Sequence, residues 1–393
     1  MSNEAKREYL NAIRERYRVA SKPTKIIILD EFSSTCGYHR KYAIRLLNAR
    51  PNSQCERDRQ RPGRRPKYQR PDLVNALVTL WKAGNLPCGK RLKAMIPLWL
   101  PHYGKPLEDE LKLLLTSIAP ATIDRLLAPL RSRYSKQGLA TTKPGSLIKK
   151  HIPIKTNQWD ERIPGFLEAD TVAHCGSSTA GIFAYTVNMV DIATTWTEQR
   201  ATWGKGEAGV LDAIISIEQM LPFPVRGFDC DNGSEFINWP LLKHFTQRKR
   251  PVQYTRSREY QKNDNAHIEE KNWTLIRQYL GYDRFDDPAI VSLLNDLYTT
   301  QWRFLLNFFL PSMKLIEKLR IKSKTIKRHS KPLTPLQRVL ASPHVAPHTK
   351  RKLRLLAQQL NPFDLQRQVS AKIKRILRRA TAASPSARKL RGI

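Results

Sequence analysis

The sequence predicts a multidomain chain: N-terminal all-α helix-turn-helix units, a central α/β core with helices around a mixed five-stranded sheet, and a basic helical C-terminal region. Three observations predict it. Charge is segregated: residues 1–150 hold 31 Lys and Arg against 12 Asp and Glu, residues 151–300 hold 15 against 20, and residues 301–393 hold 23 against 2. Strand and helix periods alternate only between residues 160 and 310, whereas both flanks carry helical periods alone. Two stretches, 51–70 and 136–159, interrupt the periodicity with proline, glycine and basic residues and read as linkers.

A chain of 393 residues, 40% of them hydrophobic, has room for two or three domains with real cores. Its formal charge of +35 calls for a polyanionic partner, because such like-charge density otherwise only destabilises a compact state. Double-stranded DNA is the natural candidate. No apolar run reaches the length of a membrane span and no signal peptide opens the chain, so the expected location is the cytoplasm, at the nucleoid, without a membrane partner. The five cysteines (Cys36, Cys55, Cys88, Cys175, Cys230) form no Cys-x-x-Cys and combine with no histidine at zinc-ligand spacing. They read as reduced thiols.

Residues 1–50 read as three short helices. Ser21 stands as a cap with Pro23 in the first turn, Ile26 to Leu29 and Phe32 supply apolar positions, and a Ser-Ser-Thr-Cys-Gly turn follows at 33–37. The next helix, Tyr38 to Leu47, should bury Ala43, Ile44 and Leu47 and present Arg40, Lys41 and Arg45. This is helix-turn-helix grammar with a basic second helix suited to a major groove; the plainer reading is a three-helix packing unit with a solvated face. In the linker 51–70, Arg61-Pro62-Gly63-Arg64-Arg65-Pro66 forbids helix, and Arg64 and Arg65 suit the negative potential of a narrow minor groove. It is similar to an AT-hook without the hook's Arg-Gly-Arg-Pro core. Residues 71–135 read as a second helix-turn-helix unit, with Leu73, Ala76, Leu77, Leu80 and Trp81 inward at one end. At the other end Ile123, Leu126, Leu127 and Leu130 face inward and Arg125 outward.

The core, 160–310, reads as strands at 166–173, 182–191 and 194–203, a helix at 206–221, a strand at 224–230, a helix at 236–247, a strand at 252–256 and a helix at 264–280. Asp191-Ile192-Ala193-Thr194 is the expected turn between the second and third strands. Trp302, Phe304, Leu305 and Phe308 belong to closing helices. Beyond Pro311 no strand signal remains. Leu353, Leu356 and Leu360 make one apolar stripe, and Val369, Ile373, Ile376 and Leu377 another, ringed by Lys372, Lys374, Arg375, Arg378 and Arg379. The stripes suit a second protomer and the charges a phosphate clamp.

Three acids stand out in this order. Asp170 lies on the first strand. Asp231 follows a buried strand directly and opens Asp-Asn-Gly, at a strand's carboxyl end, where open sheets put their sites. Glu269 lies in the helix whose buried face is assigned to Ile268, Trp273 and Ile276. Four residues before Trp273, it should face the sheet, whereas Glu270 sits about 100° round and is its rival.

The order resembles the DDE transposases of bacterial insertion sequences, whose catalytic core is of the retroviral-integrase type. The early strand Asp170, the strand-end Asp231-Asn232-Gly233 and the helical Glu269, 38 positions after Asp231, carry the resemblance. It implies a ribonuclease H-like fold in which Asp170, Asp231 and Glu269 form a catalytic triad holding Mg²⁺, with Mn²⁺ able to substitute. It also implies DNA contacts by Tyr260 in the loop before the helix and by Asn272 on it, with Lys262 and Arg277 counted beside them. The activity implied is metal-dependent cleavage at element ends and joining of 3′-hydroxyls to target DNA by a homo-multimer. The zinc module of retroviral integrases is missing.

The chemistry accounts for three carboxylates. In-line displacement at a phosphodiester builds charge on entering and leaving oxygens, which two divalent ions stabilise, and hard oxygen ligands favour magnesium or manganese. Glu168 and Asp229 share the strand faces of Asp170 and Asp231, either supporting them or pairing with basic residues. His174 and His267 lie close enough to the acids to shuttle protons, but read first as structural histidines. The rival functions are a ribonuclease H-like nuclease that cuts without joining and a transposase-derived DNA-binding regulator.

Overall fold

Gly37 ends one helix and starts the turn to the next. It sits at φ +65°, where a residue without a Cβ is unstrained, and its N–H closes the helix on Ser33 O. The computed structural model describes residues 1–49, 67–131, 161–256, 271–321 and 324–383. They fall in two compact units, Met1–Arg65 and Pro66–Ile393.

In the first unit, α1 (Asn3–Val19), α2 (Lys22–Cys36) and α3 (Arg40–Asn48) enclose Leu10, Tyr17, Ile28, Leu29, Phe32, Ala43 and Leu47. Ser2 caps α1 through Ala5 N, whereas the Ser21 hydroxyl meets Thr24 Oγ1 instead of a backbone N–H. Four successive residues cannot share one face of a helix: Ile28 and Leu29 are buried and Ile26 and Ile27 exposed. Ile44, expected inside, is turned out for the same reason, since the neighbouring Ala43 takes the inner face.

The second unit opens with four helices, α4 (Pro71–Ala83), α5 (Gly89–Trp99), α6 (Asp109–Ser117) and α7 (Pro120–Arg131). Leu73, Leu77, Leu80, Trp81, Ile123 and Leu127 are buried as their periods require, while Leu126 and Leu130 are half-buried. The helices share one hydrophobic cluster with the sheet and the C-terminal helices. Trp99 Nε1 donates to Phe309 O at 3.0 Å, and Arg91 Nε to Pro311 O at 2.7 Å.

The sheet holds β1 (Phe166–Ala173), β2 (Ala184–Asp191), β3 (Thr197–Trp203), β4 (Gly227–Cys230) and β5 (Gln253–Arg256), in the order β3-β2-β1-β4-β5. β1–β2 and β2–β3 are antiparallel; β1–β4 and β4–β5 are parallel. A three-strand meander extended by two crossover strands is the ribonuclease H-like arrangement. Helix α8 (Glu207–Glu218) makes one crossover and α9 (Trp239–Thr246) the other. After the sheet comes α10, wound as a π-helix over Asn272–Arg277 and continued over Gln278–Leu280. α11 (Ala289–Leu297) runs on through π turns at Tyr298–Trp302 and Leu305–Phe309. It covers the free edge of β3. The Asn295 amide bonds both backbone groups of Ala201, and Asn307 does the same for Thr197, so the edge has no unpaired ladder at these positions.

The region after Pro311 is not wholly helical. β6 (Leu315–Ile321) and β7 (Lys324–His329) form an antiparallel hairpin, which the density of basic residues hides from a periodicity argument. α12 (Pro335–Ala341), α13 (Pro347–Gln358) and α14 (Pro362–Ala383) follow. The stripe of Val369, Ile373 and Ile376 docks on this chain's own core, where all three are buried. Among the described residues no single helix is long and apolar enough to cross a membrane.

The turn between β2 and β3 lies where expected. The carboxylate of Asp191 accepts from Gly165 N (2.7 Å), Thr194 N (2.7 Å) and Thr194 Oγ1 (2.6 Å). Thr195 is held at φ +60°, an unusual conformation for a β-branched residue, by Ser312 and Arg338. Burial pushes the Asp191 carboxyl up to about 6 against the opposition of these hydrogen bonds. The folded chain therefore holds an extra proton between pH 3.8 and about 6. The associated stability is full below 3.8 and is lost as pH rises through about 6. Asp191→Asn should remove that slope. Urea unfolding at acid and neutral pH should show the wild type falling relative to the variant by up to about 3 kcal/mol. Parallel profiles would contradict this account.

Candidate active site

β1 and β4 run side by side with Glu168 opposite Asp229 and Ala169 opposite Cys230. One step further along the same register come Asp170, still on β1, and Asp231, the first residue beyond β4. Side chains alternate along strands, so by this register the two acids fall on one sheet face, Asp170 within β1 and Asp231 just past the carboxyl end of β4. β4 stops here because Asp231 turns back on the chain: its Oδ1 accepts from Gly233 N at 2.9 Å. Burial pushes the Asp231 carboxyl up to about 6, with the charge of Glu235 adding to the effect and the Gly233 N–H and Lys205 opposing it.

Asp170 is half-buried and doubly held. Its Oδ1 accepts from Thr171 N at 2.7 Å and its Oδ2 from Asn272 Nδ2 at 2.6 Å. Asn272 Oδ1 in turn accepts from Asn188 Nδ2 at 2.7 Å. The amide of Asn272, expected among the DNA contacts, is thus turned onto Asp170 and β2, and it brings the start of α10 to β1. The face assigned to this helix needs correcting: Ile276 is buried, but Trp273 is 49% exposed. A π-helix turns each residue through a smaller angle than an α-helix, so an α-helical period does not predict which of Asn272–Arg277 are buried.

Glu269 lies outside the described residues, as do Glu270, His267, Tyr260, Lys262, Arg64 and Arg65. Among the described residues no group of three His, Cys, Asp or Glu is gathered closely enough to hold a metal ion.

Glu235 is the acid that sequence reasoning passed over. It is 4% exposed. Its Oε1 accepts from Thr171 Oγ1 at 3.0 Å, and Lys205 Nζ stands 3.8 Å from its Oε2. A Cβ on Gly233 would lie 2.7 Å from Glu235 Oε2 and 2.9 Å from Asp231 Oδ1; the two carboxylates close over the turn, and a side chain there would have to displace one of them. The signal was present in Asp231-Asn232-Gly233-Ser234-Glu235, an acid four positions on, across a turn. One step back in the sheet, Glu168 and Asp229 are buried, and Asp229 accepts from Thr255 Oγ1 on β5.

His174 is structural. Fully buried and stacked on Phe285, its Nε2 lies 2.8 Å from Thr186 Oγ1, and burial together with Arg277 pushes its pKa down to about 3. Arg277 donates to Ala173 O at 2.7 Å and lies over the ring of Tyr282. In the first unit, Arg40 pairs with Asp30, Arg45 lies over Tyr42, and Lys41 is exposed. In the second, Arg125 is exposed and bonds Thr122.

No protein-family model matches the chain. Over 338 residues, 84% of this chain and 94% of the relative, it is 37% identical to the uncharacterized protein y4rM of Sinorhizobium fredii (strain NBRC 101917 / NGR234). The chain belongs to the y4rM family. Solved structures similar to this y4rM relative include the simian T-cell lymphotropic virus intasome in complex with PP2A regulatory subunit B56 gamma. That match has a TM-score of 0.33 and 13% identity, over 60% of this chain and 71% of the other. Another is the catalytic core domain of BIV integrase (TM-score 0.26, 12% identity, 44% and 91%). At these scores the likeness is loose, and the fold of the y4rM-family chain rests on its own strand order.

The packing over Gly233 is open to a direct check. Gly233→Ala must displace a carboxylate and should cost about 1–3 kcal/mol in urea unfolding. Gly209→Ala, on α8, meets nothing closer than Thr202 Cβ at 3.9 Å and should be neutral or stabilising. Equal effects would contradict the crowding described.

Proposed function

We propose that the chain is a DNA transposase of the DDE kind. It binds the ends of a mobile element, hydrolyses phosphodiester bonds there and joins the freed 3′-hydroxyls to target DNA. The observation that supports this reading is the register of β1 against β4, which pairs Ala169 with Cys230, the residues immediately before Asp170 and Asp231. Glu269 is the third member. It is assigned from the sequence resemblance and lies three residues before Asn272, which touches Asp170. Glu270 is its rival.

The residues fit a divalent cation. The donors are hard carboxylate oxygens, the kind magnesium and manganese select. Among the described residues Glu235 Oε2 is buried without a hydrogen-bond donor, and the Asp231 carboxyl is held above its usual range. Both conditions are relieved by positive charge. Asp170, Asp231 and Glu269 would hold Mg²⁺, or Mn²⁺ in its place; when bound, such ions neutralise the charge that builds on the entering and leaving oxygens. Asn272 orients Asp170. Gly233 lets Asp231 and Glu235 approach, and Lys205 offsets part of the charge on Glu235. No side-chain nucleophile is required, since water and then a DNA 3′-hydroxyl attack.

DNA binding is assigned to basic surfaces apart from this cluster. In the first unit α2, Gly37 and α3 supply the helix-turn-helix grammar, with Arg40, Lys41 and Arg45 on the recognition helix. Arg64, Arg65, Arg125, Tyr260 and Lys262 are further candidates, and the active form is a homo-multimer on paired ends. Helix α13 presents Lys350, Arg351, Lys352 and Arg354, carries no acid, and none of the four is paired with a carboxylate among the described residues. It is the best-placed phosphate-tracking element in the C-terminal region.

Two tests follow. In a magnesium reaction on labelled duplex from the DNA flanking the gene, Asp170→Ala, Asp231→Ala and Glu269→Ala should each lower cleavage and joining by on the order of a thousandfold or more. Gel-shift binding should survive and Glu270→Ala should stay active. Any of the three retaining joining would remove that residue from the site, and cutting without joining in the wild type would point to a nuclease. Second, replacing Lys350, Arg351, Lys352 and Arg354 together by Gln should flatten the slope of log K against log salt by up to about 3.6. An unchanged slope would mean that α13 does not track phosphates.

A further inference from the structure

Asp170 stands at the end of a row of hydrogen bonds that reaches the far edge of the sheet. Asn188 lies opposite Asp170 on β2, and Gln199 lies opposite Asn188 on β3. Both are fully buried. Gln199 Nε2 donates to Asn188 Oδ1 at 3.0 Å, Asn188 Nδ2 to Asn272 Oδ1 at 2.7 Å, and Asn272 Nδ2 to Asp170 Oδ2 at 2.6 Å. Three successive side-chain amides therefore point their N–H groups toward one carboxylate.

The direction of the row is set by its last member. An ionised carboxylate only accepts, so Asn272 must present its amide nitrogen and leave its oxygen facing Asn188; Asn188 must then donate, and its own oxygen calls for the Gln199 nitrogen. Each amide has one orientation in which every bond is made. The opposite end shows the consequence: among the described residues nothing donates to Gln199 Oε1, which is buried. An unmet buried acceptor is unfavourable, and it sits at the end remote from the site. An arrangement chosen for the stability of β3 alone would not leave it there.

We propose that Asn188 and Gln199 are positioning residues for Asp170, acting through Asn272 to fix the orientation of its carboxylate and so to set the affinity of the site for a divalent cation. The inference rests on the reading of Asp170 as a metal ligand. Neither residue touches the reacting atoms. Each removes a rotational choice from the next amide, leaving Asp170 Oδ2 committed to Asn272 while Oδ1 accepts from Thr171 N.

The test is Mn²⁺ binding by the full-length protein, followed by calorimetry, together with the side-chain amide resonance of Asn272 in metal-free protein labelled with ¹⁵N-asparagine. Asn188→Leu should weaken Mn²⁺ by about ten- to a hundredfold and move the Asn272 resonance. Gln199→Met should do both to a smaller extent, although residue 199 does not touch Asn272. Met189→Leu, an equally buried change of similar volume on the other face of β2, should do neither. Should Asn188→Leu fail to fold, the milder Gln199→Met carries the test alone. Unchanged Mn²⁺ affinity and an unmoved Asn272 resonance in the relay variants, or an equal effect of Met189→Leu, would overturn the proposal. If Asp170→Ala binds Mn²⁺ as tightly as the wild type, the metal-ligand reading itself has failed and the relay's role falls with it.

Discussion

A carboxylate taken half out of water must be met by donors or by a cation, and this fold is arranged around that requirement. Asp170, within β1, and Asp231, just beyond the end of β4, follow the paired Ala169 and Cys230 of neighbouring parallel strands, with Glu168 and Asp229 buried two residues before them. A hydrophobic sheet face would have been the cheaper construction. Instead amides, hydroxyls and a glycine turn are gathered against these acids: Asn272 on Asp170, Thr255 on Asp229, Thr171 on Glu235 and the Gly233 N–H on Asp231. The donors account for part of the negative charge.

Everything that makes this face stiff lies elsewhere in the second unit. Asn295 and Asn307 close the exposed edge of β3, and Arg338 with Ser312 clamps the strained turn at Thr195. Helices α4 to α7 and α14 share the sheet's hydrophobic cluster. The C-terminal region therefore contributes to the core as well as carrying charge, and truncating it would unfold what it is meant to test. Its basic residues are better probed on the exposed side of α13, where substitution leaves the apolar contacts of Leu353 and Leu356 in place.

Much of this was legible in the sequence, for local reasons. Strands and helices of the core follow from periodicity, Asp170 from its place on the first strand and Asp231 from its place at a strand end. The turn at Asp191 to Thr194 follows from its residue types. What escaped depended on pairing between distant segments. The β6–β7 hairpin looks like a run of basic residues until its strands are set side by side. The Asn188–Gln199–Asn272 relay exists only in the register of three strands and a helix, and no local pattern marks it. Trp273 was misjudged because the winding of α10 is wider than the period used to read it, and Glu235 because a tight turn brings it back beneath the strand that precedes it.

The most direct measurement is anomalous diffraction from crystals of the full chain grown with manganese and element-end DNA. The account predicts manganese bound between the carboxylates of Asp170 and Asp231, with Glu269 supplying the third ligand and the scissile phosphate alongside. Manganese bound elsewhere, or a lysine or arginine side chain standing between Asp170 and Asp231 in its place, would contradict it.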